Sequence, residues 1–414
     1  MLTSNLSFLP PELMDVVRLF DGAESLSIEH TGEYRDGVFQ NRFVIDGAEY
    51  SSCDEARAEG ELQYKSLCKR YAKLALYRIL SARTGQTLPW GALTGIRPTR
   101  LAYAELDAGR PFEPLFEKMR VSEENISLIR RVIAGQAAVY ERKEGNCDLF
   151  VSLPFCPSKC TYCSFITAPI AATRRYLPDY LAALEAELAA AAPLIGSLRS
   201  VYVGGGTPFA LEAEELERVL AAIAPIRTNG CEYTVEAGRP DVFSREKLDV
   251  CAKYGVTRIC INAQSFSDKT LSAIGRKHTA DDLYRAFDMA KDYPFDVNCD
   301  LIAGLTGESA EEFRQSVDAA IALSPANITV HTLCLKKGAK LKEETARLEA
   351  GRLSEMIAYS RSALSSAGYE PYYLYRQKYM AGAHENVGWT KPDKACVYNI
   401  DVMEEIADNL AVGA

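Results

Sequence analysis

Three cysteines share one short stretch, Phe150 to Phe165, which reads F-V-S-L-P-F-C-P-S-K-C-T-Y-C-S-F. Cys156, Cys160 and Cys163 follow the spacing C-x3-C-x2-C. Three thiolates on one loop can share a soft metal centre. A closed structural zinc site wants a fourth ligand, usually from a second C-x2-C or an H-x3-H pair, and none follows. A common ferredoxin-type cluster also takes four thiolates. Three ligands therefore point to a 4Fe–4S cluster with one iron open for chemistry. The plainer alternatives are a zinc-binding structural protein and three reduced core cysteines brought together by chance. The remaining nine of the twelve cysteines are scattered and read as core residues.

Other groups with chemical potential follow at intervals. Gly204-Gly205-Gly206-Thr207-Pro208 lets backbone groups approach a ligand, or makes a tight corner. Glu236 opens E-A-G-R-P, and its plain reading is a satisfied surface carboxylate. Gln264 lies in A-Q-S-F and Arg276 in G-R-K-H-T. Asp300, inside an apolar run, needs a partner if it is buried.

These groups need elements to position them. From Cys147 onward, short apolar runs alternate with amphipathic helices, the rhythm of a parallel sheet or barrel. The predicted strands are 149–153, 200–203, 232–236, 258–262, 297–302 and 327–332. Helices are predicted over about 176–192, 213–223, 245–253 and 310–323, with helical turns between 262 and 291. Six such units make a partial TIM-like (β/α)6 barrel the expected α/β fold, with its site at the C-terminal strand ends. Each candidate group then sits at or near a strand end.

An α/β domain is expected before the barrel, over residues 1–145. It has strands at 26–30 and 38–45 and helices at 55–84 and 122–142. The segment L-P-W-G-A-L-T-G-I-R-P-T-R is irregular. Arg97 and Arg100 beside Trp90 are read as an interdomain contact, with anion binding as the alternative. The barrel is assigned to 146–335 and a C-terminal extension to 336–414. The extension holds a helix at 352–367, then a tyrosine-rich, poorly patterned stretch. It stops at N-L-A-V-G-A with no clear terminal element, which reads as a truncation or an unusual end.

The chain has 414 residues and a net charge of −9, which argues against a general nucleic-acid-binding surface. No signal peptide or membrane-length apolar run is read. Twelve cysteines without a leader fit a reducing cytoplasm better than a disulfide scaffold.

The cysteine stretch resembles the radical S-adenosylmethionine (SAM) enzymes, whose signature is C-x3-C-x-aromatic-C. The ordered set L-P-F-C, G-G-G-T-P, E-A-G-R-P, A-Q-S-F, G-R-K-H-T and D-L-I-A-G-L resembles one branch of them, over roughly residues 147–335. That branch is the oxygen-independent coproporphyrinogen III oxidases (coproporphyrinogen dehydrogenases), and the first domain looks like its extended HemZ subgroup. The acidic motif is one residue longer here.

The resemblance implies that Cys156, Cys160 and Cys163 hold a 4Fe–4S cluster whose open iron binds SAM. It implies that Phe150 occupies the place of a SAM-contacting tyrosine and that Tyr162 lies beside the cluster. It also implies that Gly205, Gly206 and Thr207 line the methionine end of SAM, and that Glu236, Gln264, Arg276 and Asp300 contact one or two SAM molecules. Cys334 falls near a further family contact. The implied reaction is oxidative decarboxylation of two coproporphyrinogen III propionates to vinyl groups in haem biosynthesis. The implied partners are a porphyrinogen or haem-like molecule and an unidentified electron donor. Arg239, Lys277, Lys336 and Lys337 are candidate carboxylate anchors, each with a solvated charge as its plain reading. Phe165 replaces the oxidases' fourth cysteine, and Ser152 replaces a histidine. The Phe165 pattern is shared with haem chaperones, whose H-N-x-x-Y-W stretch is echoed by His384, Asn386 and Trp389. A haem-trafficking protein and a two-SAM radical methyltransferase are the alternative functions.

Overall fold

The structure is a computed structural model and describes all residues except 56, 96, 335–349, 378–383 and 414. It divides into two units, Met1–Arg130 with Arg376–His384, and Arg131–Tyr375 with Glu385–Ala414.

The first unit holds β1 (Leu2–Ser4), α1 (Pro10–Val17), β2 (Ile28–Arg35), β3 (Val38–Ile45), β4 (Ala48–Glu55), α2 (Glu61–Thr84), α3 (Pro98–Asp107) and α4 (Glu113–Lys118). The division falls within α5 (Glu123–Gln136). Its sheet runs β1-β2-β3-β4, parallel at β1 and antiparallel elsewhere. Two Asp-Gly pairs make its hairpins. Asp36-Gly37 and Asp46-Gly47 all have positive φ, as two-residue turns matched to strand twist require. Trp90 is fully buried here, with the Arg376 guanidinium 5.2 Å from its ring centre.

The second unit is built on a nine-stranded sheet. β5 (Asn146–Leu153) is followed by the short parallel pair β6 (Phe155–Cys156) and β7 (Ala168–Pro169), then α6 (Ile170–Thr173) and α7 (Leu177–Ala191). Strands then alternate with helices: β8 (Ser197–Gly205), α8 (Ala213–Ile223), β9 (Glu232–Gly238), α9 (Arg245–Lys253), β10 (Arg258–Gln264), α10 (Asp268–Ala273) and α11 (Ala280–Ala290). β11 (Asp296–Ala303), α12 (Ala310–Leu323), β12 (Asn327–Thr332) and α13 (Ala350–Ser366) complete the alternation. β5 and β8 to β12 lie side by side in chain order and run parallel, as six βα units demand. Every predicted barrel strand lies within one of them.

The tyrosine-rich stretch is not unpatterned. It forms β13 (Glu370–Tyr375), β14 (Asn386–Thr390), α14 (Val397–Glu404) and β15 (Asp408–Val412). β14 pairs antiparallel with β12, β13 with β14, and β15 parallel with β5. The sheet is therefore open, with β13 and β15 at its edges.

Side chains alternate along these strands. Leu149, Val151, Val201, Val203, Val235, Ile259, Ile261, Leu301, Ile328 and Val330 make an apolar core. The alternate set is polar or aromatic: Phe150, Ser152, Tyr202, Glu236, Cys260, Asp300, Thr329 and His331. Trp389 on β14 is also buried, with Arg131 5.5 Å from its ring centre.

Candidate functional site

The cysteine loop leaves β5 at its C-terminal end. Cys156 ends β6, and Cys160 and Cys163 lie in the turn before β7. All three are free thiols. Burial raises the pKa of Cys156 and Cys163, and the field of the neighbouring thiols adds to it. The Thr207 hydroxyl donates to Cys156 Sγ at 3.6 Å and works the other way.

The G-G-G-T-P turn is packed against this loop. Gly206 N–H donates to the Leu153 carbonyl at 2.9 Å, and Thr207 N–H to the Phe155 carbonyl at 2.7 Å. A Cβ on Gly206 would stand 2.4 Å from the Phe155 oxygen, so only glycine fits. Close backbone approach here thus serves the cysteine loop itself, whatever else it admits.

Tyr162 lies between the second and third cysteines. Its phenol accepts from Arg276 Nη2 at 3.2 Å, and Arg276 Nη1 donates to the Asn262 carbonyl. Burial pushes the Tyr162 phenol well above its ordinary pKa. Thr161 N–H donates to the Ile274 carbonyl at 3.0 Å. Gln264 ends β10 with φ 67°, a left-handed conformation that is uncommon for a residue other than glycine. The next residues hold it there. Ser265 Oγ donates to Glu308 Oε1 at 2.5 Å and accepts from Ser267 N–H at 3.1 Å. Phe266 N–H donates to Ser316 Oγ at 2.9 Å. Gln264 is buried, and its Oε1 has no hydrogen-bond partner among the described residues. Backbone strain beside an unsatisfied buried acceptor is the pattern of a binding position.

The second group lies on the polar face of the sheet. Phe150 stacks on Tyr202 (centroids 6.1 Å apart) and on Tyr398 (6.2 Å), and the two tyrosines stack at 4.5 Å. Tyr202 donates to Glu236 Oε1 at 2.5 Å. Burial raises the Glu236 pKa to about 7, Asp300 adds to the rise, and the Tyr202 bond and His331 oppose it. Glu236 as a residue is half-buried. His331 Nε2 is 3.8 Å from Asp300 Oδ2, and His331 Nδ1 shares a hydrogen with the Tyr375 hydroxyl at 3.1 Å. The G-G-G-T-P turn touches both groups: Gly206 and Thr207 pack on the cysteine loop, and a Cβ on Gly204 would meet the Tyr202 ring and the Glu236 carboxyl.

The candidate residues thus fall into two adjoining sets. One is Cys156, Cys160, Cys163, Tyr162, Thr207 and Arg276; the other is Phe150, Glu236 and Asp300. Cys334 lies two residues beyond β12. Several expectations change. Arg239 is no solvated charge and no free anchor: it is 3% exposed and tied to Asp241 and Ser158. His384, the first residue of the H-N-x-x-Y-W echo, is buried. Trp90 is fully buried, so it offers no ring beside Arg97 and Arg100 for an anion. Lys277 is exposed, while Lys336 and Lys337 lie outside the described residues. Tyr202, His331, Tyr375 and Tyr398 were not picked out by sequence. Period-two counting finds the first two, whereas Tyr375 and Tyr398 lie in the stretch that looked unpatterned.

No set of three His, Cys, Asp or Glu side chains among the described residues is arranged around a single metal ion. The donor chemistry nonetheless suits a cluster: three free thiols on one loop, a hydroxyl donor at the first, and an orphaned acceptor at Gln264.

Residues 150–320 match the radical SAM superfamily domain. The chain is 35% identical over 353 residues to the oxygen-independent coproporphyrinogen-III oxidase-like protein HemZ of Bacillus subtilis, covering 81% of this chain and 70% of that one. It is 29% identical over 273 residues to the heme chaperone HemW of the same organism, covering 58% and 71%. Coproporphyrinogen III oxidase (HemN) of Escherichia coli shares the fold at a TM-score of 0.55 and 22% identity, over 68% of this chain and 66% of that structure. No helix among the described residues is long and apolar enough to cross a membrane.

Proposed function

Because this chain belongs to the radical SAM superfamily, and within it to the HemZ-like family of coproporphyrinogen-III oxidase-like proteins, we propose that it oxidatively decarboxylates the propionates of coproporphyrinogen III. The observation that supports the proposal is the G-G-G-T-P turn, which packs on the three-cysteine loop at one end and on Tyr202 and Glu236 of the polar sheet face at the other.

A radical SAM protein uses a 4Fe–4S cluster and SAM. When bound, the pair supplies a hydrogen-abstracting 5′-deoxyadenosyl radical. Cys156, Cys160 and Cys163 would each hold one iron. Thr207 would hydrogen-bond the first thiolate, and Gln264 Oε1 would accept from the SAM amino group. Glu236, with a pKa of about 7, can carry its proton or release it near neutral pH. His331, held between the Tyr375 hydroxyl and Asp300, would place a polar, proton-carrying edge on that face. In each turnover the propionate β-carbon loses a hydrogen atom. Carbon dioxide then leaves, one electron passes to an acceptor, and a vinyl group remains.

An anaerobic assay with SAM, a reductant and coproporphyrinogen III tests this, followed by mass. Loss of two carbon dioxides per substrate with matching 5′-deoxyadenosine is the expected result. SAM cleavage with untouched substrate would overturn it. The second reading is a haem-binding protein on the same fold. It is favoured by Phe165, which stands 62% exposed beside the cysteine loop, and by the likeness to HemW. Stoichiometric haem binding without porphyrinogen turnover would support it.

A further inference from the structure

The acidic motif E-A-G-R-P carries a buried arginine. Arg239 follows β9 and is 3% exposed. Its Nη1 donates to Ser158 Oγ at 2.7 Å and to the Ser158 carbonyl at 3.2 Å. Its Nε and Nη2 donate to the two Asp241 oxygens at 2.9 and 2.7 Å. Asp241 is also faced by His278, whose Nδ1 is 3.6 Å away. Ser158 is the middle residue between Cys156 and Cys160. The guanidinium therefore bridges a fixed carboxylate and the first half of the cysteine loop. Arg276 does the matching work for the second half through Tyr162.

We propose that Arg239 is a positioning residue that sets the placement of Cys156 and Cys160, and so the geometry of the cluster they hold. The proposal rests on the reading of this loop as a cluster site, but the clamp itself can be read without iron. A planar fork bonded on both sides is a rigid spacer, and a buried charge paired this way is not free to swing. A lysine could satisfy Asp241 or Ser158, but not both with the same geometry.

The test compares wild type with Arg239→Met, Arg239→Lys and Ser158→Ala. In the iron-free chain, alkylation of Cys156 and Cys160 is followed by mass, with exposed Cys53 as the internal reference. In the reconstituted protein, chelator-driven iron release and the EPR signal of the reduced cluster are followed. Loss of the charge-assisted bonds should speed loop alkylation and iron release about tenfold in Arg239→Met. The EPR signal should shift, Arg239→Lys should fall between, and Ser158→Ala should move the same way by less. Ser158→Ala leaves the Arg239–Asp241 pair intact, so it decides the matter if Arg239→Met does not fold. Unchanged alkylation in Ser158→Ala and Arg239→Lys would overturn the clamp. Failure of wild type to take up iron would overturn the cluster reading instead, and the alkylation rates would still report on the clamp.

Discussion

Single residues decide most of the chemistry proposed here. Cys160 is the most buried of the three thiols, and Cys160→Ser should abolish both iron uptake and 5′-deoxyadenosine formation. A serine variant that still made 5′-deoxyadenosine at the wild-type rate would remove the cluster assignment. Glu308 gives a prediction about pH. It is fully buried, and burial raises its pKa to about 7, with Glu312 adding to the rise against Ser265 and Lys269. Between its unfolded value near 4.5 and about 7, the folded state holds more protons than the unfolded one. The stability it contributes is present at low pH and lost as pH rises through 7, on the order of 3 kcal/mol for such a shift. Glu308→Gln keeps an acceptor for Ser265 and removes the charge. Its melting temperature should match wild type near pH 5 and exceed it at pH 8; an unchanged pH slope would count against the assignment. At this scale the placement was legible where a motif named the residue: the cysteines lie on the loop after β5 and Gln264 at the end of β10, as their spacing predicts. It was not legible for Arg239, because its partner Ser158 lies 81 residues away.

At the scale of elements, the parallel strands were readable because they are buried on a helix-covered face and so run apolar. β4 was not, because A-E-Y-S-S-C-D-E is largely exposed and only Asp46-Gly47 announces its hairpin. β13 hides in tyrosines: Tyr372 and Tyr373 are core residues packed with Cys396 and Ile400. α14 is the element most undervalued by sequence. Besides placing Tyr398 on Phe150, it carries Asp401, which accepts from Arg199 of β8 at 2.6 and 3.1 Å. Cys396, just before α14, donates to Glu232 of β9 at 3.0 Å. Asp401→Ala leaves the Arg199 guanidinium largely buried and without its main carboxylate. The variant should lose about 3 kcal/mol by denaturant titration. A loss within error of zero would show that α14 is held by its apolar contacts alone.

At the scale of the whole molecule, β15 matters beyond its length. It pairs with the outer edge of β5, the strand that delivers the cysteine loop, from Asp408–Cys147 to Val412–Val151. Deleting residues 408–414 should leave that edge with unpaired N–H and C=O groups and promote association between chains. Light scattering on the deletion protein checks this, and a monodisperse monomer that still takes up iron would refute it. The two tryptophans have a different use. Trp90 belongs to one unit and Trp389 to the other, and both are buried beneath an arginine. Each compact unit therefore contains its own fluorophore. Trp90→Phe and Trp389→Phe variants would each emit from one half of the chain, so two melting curves could be recorded as separate optical channels. Coincident curves would mean that the halves melt as one cooperative body. Curves that part would say which half gives way first.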